Sequence, residues 1–117
     1  MQIIIKTKMV ELTGWLESLV QKRMAVIRKL VKNLQESSEL LVEVEKETQH
    51  HRKGDIFRAE AIINLPKAKL VAKAHGENLS HIITKVKNEL EREIRKYKTK
   101  VIELPRRKYR KIKREMM

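Results

Sequence analysis

From Leu12 the apolar residues return at every third or fourth position. Leu12, Leu16, Leu19, Val20, Ile27, Leu30, Val31 and Leu34 share one side of a helix, and a β-branched run from Gln2 to Lys6 precedes them. Thr13, closing the segment Val10 to Thr13, is an N-cap residue type, so the pattern predicts a strand and then an amphipathic helix. From Leu40 the period drops to two. Val42 and Val44 alternate with Glu43 and Glu45, and Phe57, Ala59, Ala61, Ile63 and Leu65 alternate with Arg58, Glu60, Ile62 and Asn64. These read as half-buried strands joined by a turn over Gln49 to Asp55. Pro66 and Lys67 form the next turn, and Leu70, Ala72 and Ala74 face inward from a last strand ending at Gly76. Asn78 caps a final helix whose seam is Leu79, Ile83, Val86, Leu90, Ile94, Tyr97 and Val101, until Pro105 stops or kinks it.

The predicted class is α+β with the order β-α-β-β-β-α. A strand-helix-strand unit closes as a parallel crossover and the next two strands follow as an antiparallel meander. Both helices are therefore expected on one face of a four-stranded mixed sheet, with the other face largely wet. Residues 1 to 104 form the domain, and 105 to 117 a basic, flexible tail. The chain's 117 residues suffice for one core and not for two. Without cysteine there is no disulfide framework and no Cys-based zinc site, which fits a cytoplasmic protein. No apolar stretch is long enough for a signal peptide or a membrane span, so the chain is expected to be soluble and unprocessed.

Charge changes the picture most. The formal net charge is +13 at pH 7, and +9 of it falls between Asn78 and Met117, where Lys and Arg outnumber Glu fourteen to five. Clustered cations are the footprint of a polyanion partner, because each phosphate neutralised releases condensed counterions. Opposite its seam the last helix carries Lys85, Arg92, Arg95 and Lys96; the first carries Lys22, Lys29 and Lys32, flanked by Arg23 and Arg28. A solvated helix face balanced by ion pairs is the plainer explanation, and Glu89, Glu91 and Glu93 offer such pairs, but they do not neutralise +9. The tail, with Arg106, Arg107, Lys108, Arg110, Lys111, Lys113 and Arg114, suits an RNA groove or phosphate surface; acidic lipid and mere solubility are the alternatives. Tyr109, Ile112 and Met116 would give a short amphipathic helix only a weak membrane face.

Other chemistry is poorly supported. His50 and His51 sit in a polar turn beside Arg52 and Lys53, and His75 and His81 are not joined by further ligands at metal-site spacing, so all four read as surface histidines. Ser18, Ser37, Ser38 and Ser80 belong to no nucleophile motif, Gly14, Gly54 and Gly76 make no phosphate-cradling loop, and Asp55 is the sole Asp. The expectation is a non-enzyme without cofactor or metal. With only Trp15, Phe57, Tyr97 and Tyr109 aromatic, a sheet that stacks single-stranded RNA on its strands is disfavoured.

Several strings then add to the pattern: Met1-Gln2-Ile3, Val10-Glu11-Leu12-Thr13, Val44-Glu45-Lys46, Ala61-Ile62-Ile63-Asn64-Leu65-Pro66, Asn88-Glu89-Leu90-Glu91-Arg92 and Arg95-Lys96-Tyr97-Lys98. In this order they resemble the ribosome hibernation promoting factors, also called ribosome-associated inhibitors, over about residues 1 to 100. The resemblance implies a stress-response factor lying in the mRNA and tRNA channel of the small ribosomal subunit, with basic helices on ribosomal RNA. Positions matching the family's RNA-contacting basics are Lys22, Arg23 and Lys29, then Lys87, Arg92, Arg95, Lys96 and Lys98. Where the family has Asp-Met-Tyr-Ala-Ala-Ile, this chain reads Asn78-Leu79-Ser80-His81-Ile82-Ile83, so a cap is kept and the tyrosine is not. Long members carry a further dimerisation domain after this one, and the basic tail stands in its place, so ribosome dimerisation by this chain alone is not implied. The expected partner is the small subunit and its ribosomal RNA, with no membrane and no small-molecule substrate, the protein being monomeric off the ribosome. A generic double-stranded RNA- or DNA-binding protein is the alternative.

Overall fold

A computed structural model describes residues 1–32, 34, 39–47, 54 and 56–116. Its order is β1 (Gln2–Lys8), α1 (Gly14–Val31), β2 (Glu39–Glu47), β3 (Ile56–Leu65), β4 (Ala68–Gly76) and α2 (Leu79–Lys98), then a π-helical turn (Thr99–Glu103) and α3 (Leu104–Met116). The strands form one sheet in the order β1-β2-β3-β4. β1 runs parallel to β2, pairing Ile3 with Leu40 and Ile5 with Val42; β2-β3 and β3-β4 are antiparallel, with Val42 opposite Ala61 and Ala61 opposite Ala72. This is the expected crossover and meander. The turn expected over 49–55, with His50, His51, Arg52, Lys53 and Asp55, lies outside the described residues except for Gly54, as do Ser37 and Ser38.

The core lies between the sheet and two helices on one of its faces. Leu40, Val42, Val44, Ala59, Ala61, Ile63 and Ala72 point up from the strands, Leu16, Val20, Met24, Ile27 and Val31 come down from α1, and Ile82, Ile83, Val86, Leu90 and Ile94 from α2. Alanines at the centre of β3 and β4 let α2 approach closely. Both caps form as their residue types require: Thr13 Oγ1 accepts from the Leu16 N–H at 3.2 Å, and Asn78 Oδ1 from the His81 N–H at 3.1 Å. Beside the β3-β4 turn, the Tyr97 hydroxyl donates to the Pro66 carbonyl at 2.7 Å, tying the tip to the end of α2. Lys67 has a φ of +67° there, a left-handed position usually taken by Gly or Asn after a turn proline.

Four details differ from the sequence pattern. Leu12 is outside the core, 44% exposed, because it precedes the Thr13 cap and lies off the helical ridge. Val101 is 37% exposed because α2 ends at Lys98 and the π turn rotates the seam away from the sheet. Met24 and Ile82 are buried though neither was assigned to a seam; Ile82 covers the glycine at the end of β4, where a Cβ on Gly76 would meet Ile82 Cγ2 at 3.1 Å. The far sheet face is less wet than its polar neighbours suggest: Ile4, Leu41, Ile62 and Val71 align across all four strands and are half-buried.

Pro105 does not end the helical path. The Thr99 hydroxyl bonds back to the Arg95 carbonyl at 3.1 Å, and the Leu104 N–H reaches five residues back to the Thr99 carbonyl. A back-bonding threonine loosens the regular ladder there. The wider turn places Pro105 in the first turn of α3, where its missing N–H is not needed. The tail expected over 105–117 is thus helical as far as Met116, and none of its described residues is buried. The molecule measures 68 × 28 × 19 Å with a radius of gyration of 17.9 Å. A compact chain of this length would have about 13 Å, so α3 projects from the body as a rod.

Candidate nucleic-acid interface

The two core-covering helices lie side by side and run in the same sense, since each follows a strand of the same direction. Between them, Arg23 Nε donates to Thr84 Oγ1 at 3.1 Å, and that hydroxyl donates to the Ser80 carbonyl at 2.9 Å. Arg23 is half-buried and acts as a bracket between helices, which differs from the open cation its position on the wheel suggested. Lys22, Arg28 and Lys29 on α1 and Lys32 at its C-cap remain exposed, and none has a hydrogen-bond or ion-pair partner among the described residues.

On α2 the predicted stripe is real but unequal. Lys85 and Arg92 are exposed and have no such partner among the described residues. Arg95 donates to Glu91 Oε1 at 2.9 Å, Lys96 lies 3.6 Å from Glu93, and Lys87, with only 19% of its side chain exposed, lies 3.7 Å from Glu91. Lys98 is half-buried on the same flank as Lys87. The hydrogen bond from Arg95, then the charges of Lys87 and Arg95, outweigh partial burial and hold the Glu91 carboxyl below the ordinary 4.5. Its stabilising effect is therefore complete above 4.5 and fades as pH falls through the lowered native value. The more open pairs of Arg95 and Lys96 contribute at most about 1 kcal/mol each and are easily traded for phosphate contacts.

An open groove of about 470 Å³ follows this face, lined by Asn88, Glu91, Arg92, Arg95, Lys96, Thr99 and Lys100. Lys100 was missed by the sequence reading, although it stands four residues from Lys96 and eight from Arg92, so helical spacing alone could have found it. Arg106, Arg107, Lys108 and Arg110 are exposed along α3, beyond the body of the domain. The structure thus brings the α1 and α2 cations onto one side of the sheet and sets those of α3 apart.

The far face has a different character. Glu60 there is bridged by Arg58 at 3.2 Å and Lys73 at 4.0 Å, and Lys8 meets Glu45 at 3.8 Å. Among the described residues no group of three or more His, Cys, Asp or Glu is arranged to hold a metal, and no helix is long and apolar enough to cross a membrane.

Residues 3–102 match the model of the sigma 54 modulation protein / S30EA ribosomal protein family. The chain belongs to that family. Its fold is similar to the structure of a ribosomal subunit interface protein from Coxiella burnetii, with a TM-score of 0.65 and 17% identity, covering 85% of this chain and 99% of that one. The N-terminal domain of Thermus thermophilus Protein Y is also similar, with a TM-score of 0.60 and 21% identity over 83% of this chain and 99% of that one. No curated protein matches the sequence significantly. That membership agrees with the resemblance of its strings to the ribosome hibernation promoting factors.

Proposed function

We propose that this chain is a cytoplasmic hibernation factor that binds the small ribosomal subunit in its mRNA and tRNA channel and blocks translation by occupying that space. The observation that carries this reading is the one-sided distribution of open cations: Lys22 and Lys29 on α1, with Lys85 and Arg92 on α2, project from adjacent helices that share one sheet face. Two cationic ridges can engage phosphates at several points, and Arg92 adds a planar fork that lysine lacks. Arg95, Lys96 and Lys100 exchange glutamate or water for phosphate as the groove meets RNA. Inhibition needs no reacting group, because a folded body held in the channel excludes tRNA and mRNA by volume. In this scheme residues 1–104 are the obstruction, and Arg106, Arg107, Lys108 and Arg110 serve as an auxiliary anchor.

Co-sedimentation with purified small subunits, with tRNA and naked duplex RNA as competitors, tests the reading. The expected result is saturable binding displaced by tRNA and little affected by duplex. Equal competition by duplex would favour a general double-strand binder, and co-occupancy with tRNA would remove the channel from the mechanism.

A further inference from the structure

Trp15 stands in the first turn of α1 and is 60% exposed, although the core a few residues away buries aliphatic side chains completely. Its place on the helix explains this. The buried residues Leu16, Val20, Met24, Ile27 and Val31 occupy one arc, and Trp15 lies about 140° from the centre of that arc at 100° per residue. The ridge it heads continues through Lys22, Val26 and Lys29, all exposed, at spacings of seven, eleven and fourteen residues. Lys22 follows about 10 Å along the axis and Lys29 about 21 Å. The one acid within α1, Glu17, falls on the other side of the helix. The junction before the helix adds apolar surface, with Met9 and Leu12 both exposed.

We propose that Trp15 is a stacking platform for an unpaired base of the bound RNA, with Lys22 and Lys29 holding phosphates of the same strand. This rests on the ribosomal reading above and extends it from phosphate contact to base contact. Every base offers a π face, so a ring set on a cationic ridge can grip a strand without reading its sequence. The strands offer no such exposed ring among the described residues; Phe57, the aromatic residue of the sheet, is half-buried. An apolar pocket on a ribosomal protein is the competing destination for an exposed indole. The two lysines on the ridge and the absence of an acid there favour the nucleic acid.

Trp15 is the sole tryptophan, so its fluorescence reports on this site alone. Titration with a short unstructured single-stranded RNA at low salt, with binding followed separately by anisotropy of the labelled RNA, should quench the emission in step with binding. Duplex RNA of equal length should bind without comparable quenching. Failure of the single strand to bind, or binding without quenching, overturns the proposal. In co-sedimentation with small subunits, Trp15→Ala should weaken binding by about 5- to 150-fold, the range expected for one stacked base. Trp15→Phe should recover most of the loss and Trp15→Leu little of it. An unchanged affinity for Trp15→Ala, or equal recovery by Leu and Phe, would replace stacking with no contact or with apolar docking. All three variants should melt as the parent does. If the parent did not sediment with subunits, the ribosomal reading would fall, while the fluorescence titration would still decide the stacking role.

Discussion

Replacing Arg92, Arg95 and Lys96 with alanine tests the electrostatic reading most directly. Each phosphate neutralised contributes about 0.7 to 0.9 to the slope of log K against log salt, so losing three contacts should flatten it by about 2 to 2.7. Over a fourfold rise in salt the parent should then lose roughly 20 to 40 times more affinity than the triple variant. The ion pairs modify how the loss divides. Arg92 has no described partner and should supply close to a full contact, whereas Arg95 and Lys96 already lie 2.9 Å and 3.6 Å from Glu91 and Glu93. Arg92→Ala alone should therefore flatten the slope more than Lys96→Ala alone. Glu91→Gln provides the opposite sign: it frees Arg95 and Lys87 from their shared acceptor, so binding should tighten and the slope steepen. Binding to small subunits across a salt series measures all of these, with thermal melting as the fold control, since exposed substitutions of this kind stay within about 0.5 kcal/mol. A triple variant with the parent's slope would remove the α2 face from the interface. Weaker binding by Glu91→Gln would show that the glutamate positions Arg95 instead of competing for it.

Leu90 is fully buried between α2 and the sheet, and Leu90→Ala should cost about 2 to 5 kcal/mol from lost burial and a cavity, lowering the melting temperature by roughly 8 to 20 °C. An unaltered melt would mean that the α2 register is wrong. Tyr97→Phe removes the hydrogen bond to the Pro66 carbonyl and should cost about 0.5 to 1.5 kcal/mol in denaturant unfolding; no change would leave that bond without energetic weight. Deleting Arg106 to Met117 should leave the melt nearly intact, because none of the described α3 residues is buried, while slowing association with small subunits and speeding release. The truncated chain should still exclude tRNA at saturation, and loss of exclusion there would transfer the blocking role to α3.

The fold was legible because its signals are local and agree with one another. Period-two alternation in Phe57 to Leu65, period 3.6 after Asn78, and side-chain caps at Thr13 and Asn78 each point to the element that forms. What escaped depended on contacts distant in sequence. Ile82 is buried because it lies over Gly76 at the end of a strand, and Arg23 is drawn inward by Thr84, sixty-one residues away. The end of α2 escaped for another reason: Pro105 drew attention to itself, whereas the change of geometry begins at Thr99, whose side chain bonds back into the helix. For the interface, spacing identified the cationic faces, but which cations are open and which are paired was settled only by side-chain geometry on α2.

The two basic helices at the C-terminal end are stabilised by different means, and this bears on their division of labour. On α2, Glu91 precedes Arg95 by four residues, the favourable order for a helical ion pair, and the buried side of the helix is anchored by Leu90 and Ile94. That helix is formed and fixed before any ligand arrives, so on the proposed reading its cations would meet RNA already in position. On α3, Arg110 stands four residues from both Arg106 and Arg114, and no described residue of the helix is buried. Like charges at that spacing cost about 0.2 to 0.5 kcal/mol per pair, and no core contact offsets them. Phosphates placed along α3 would neutralise the repulsion and stabilise the helix as they bind. On the proposed reading α2 therefore supplies fixed geometry for the plug, while α3 gains stability from the phosphates it contacts, which is what suits it to anchoring.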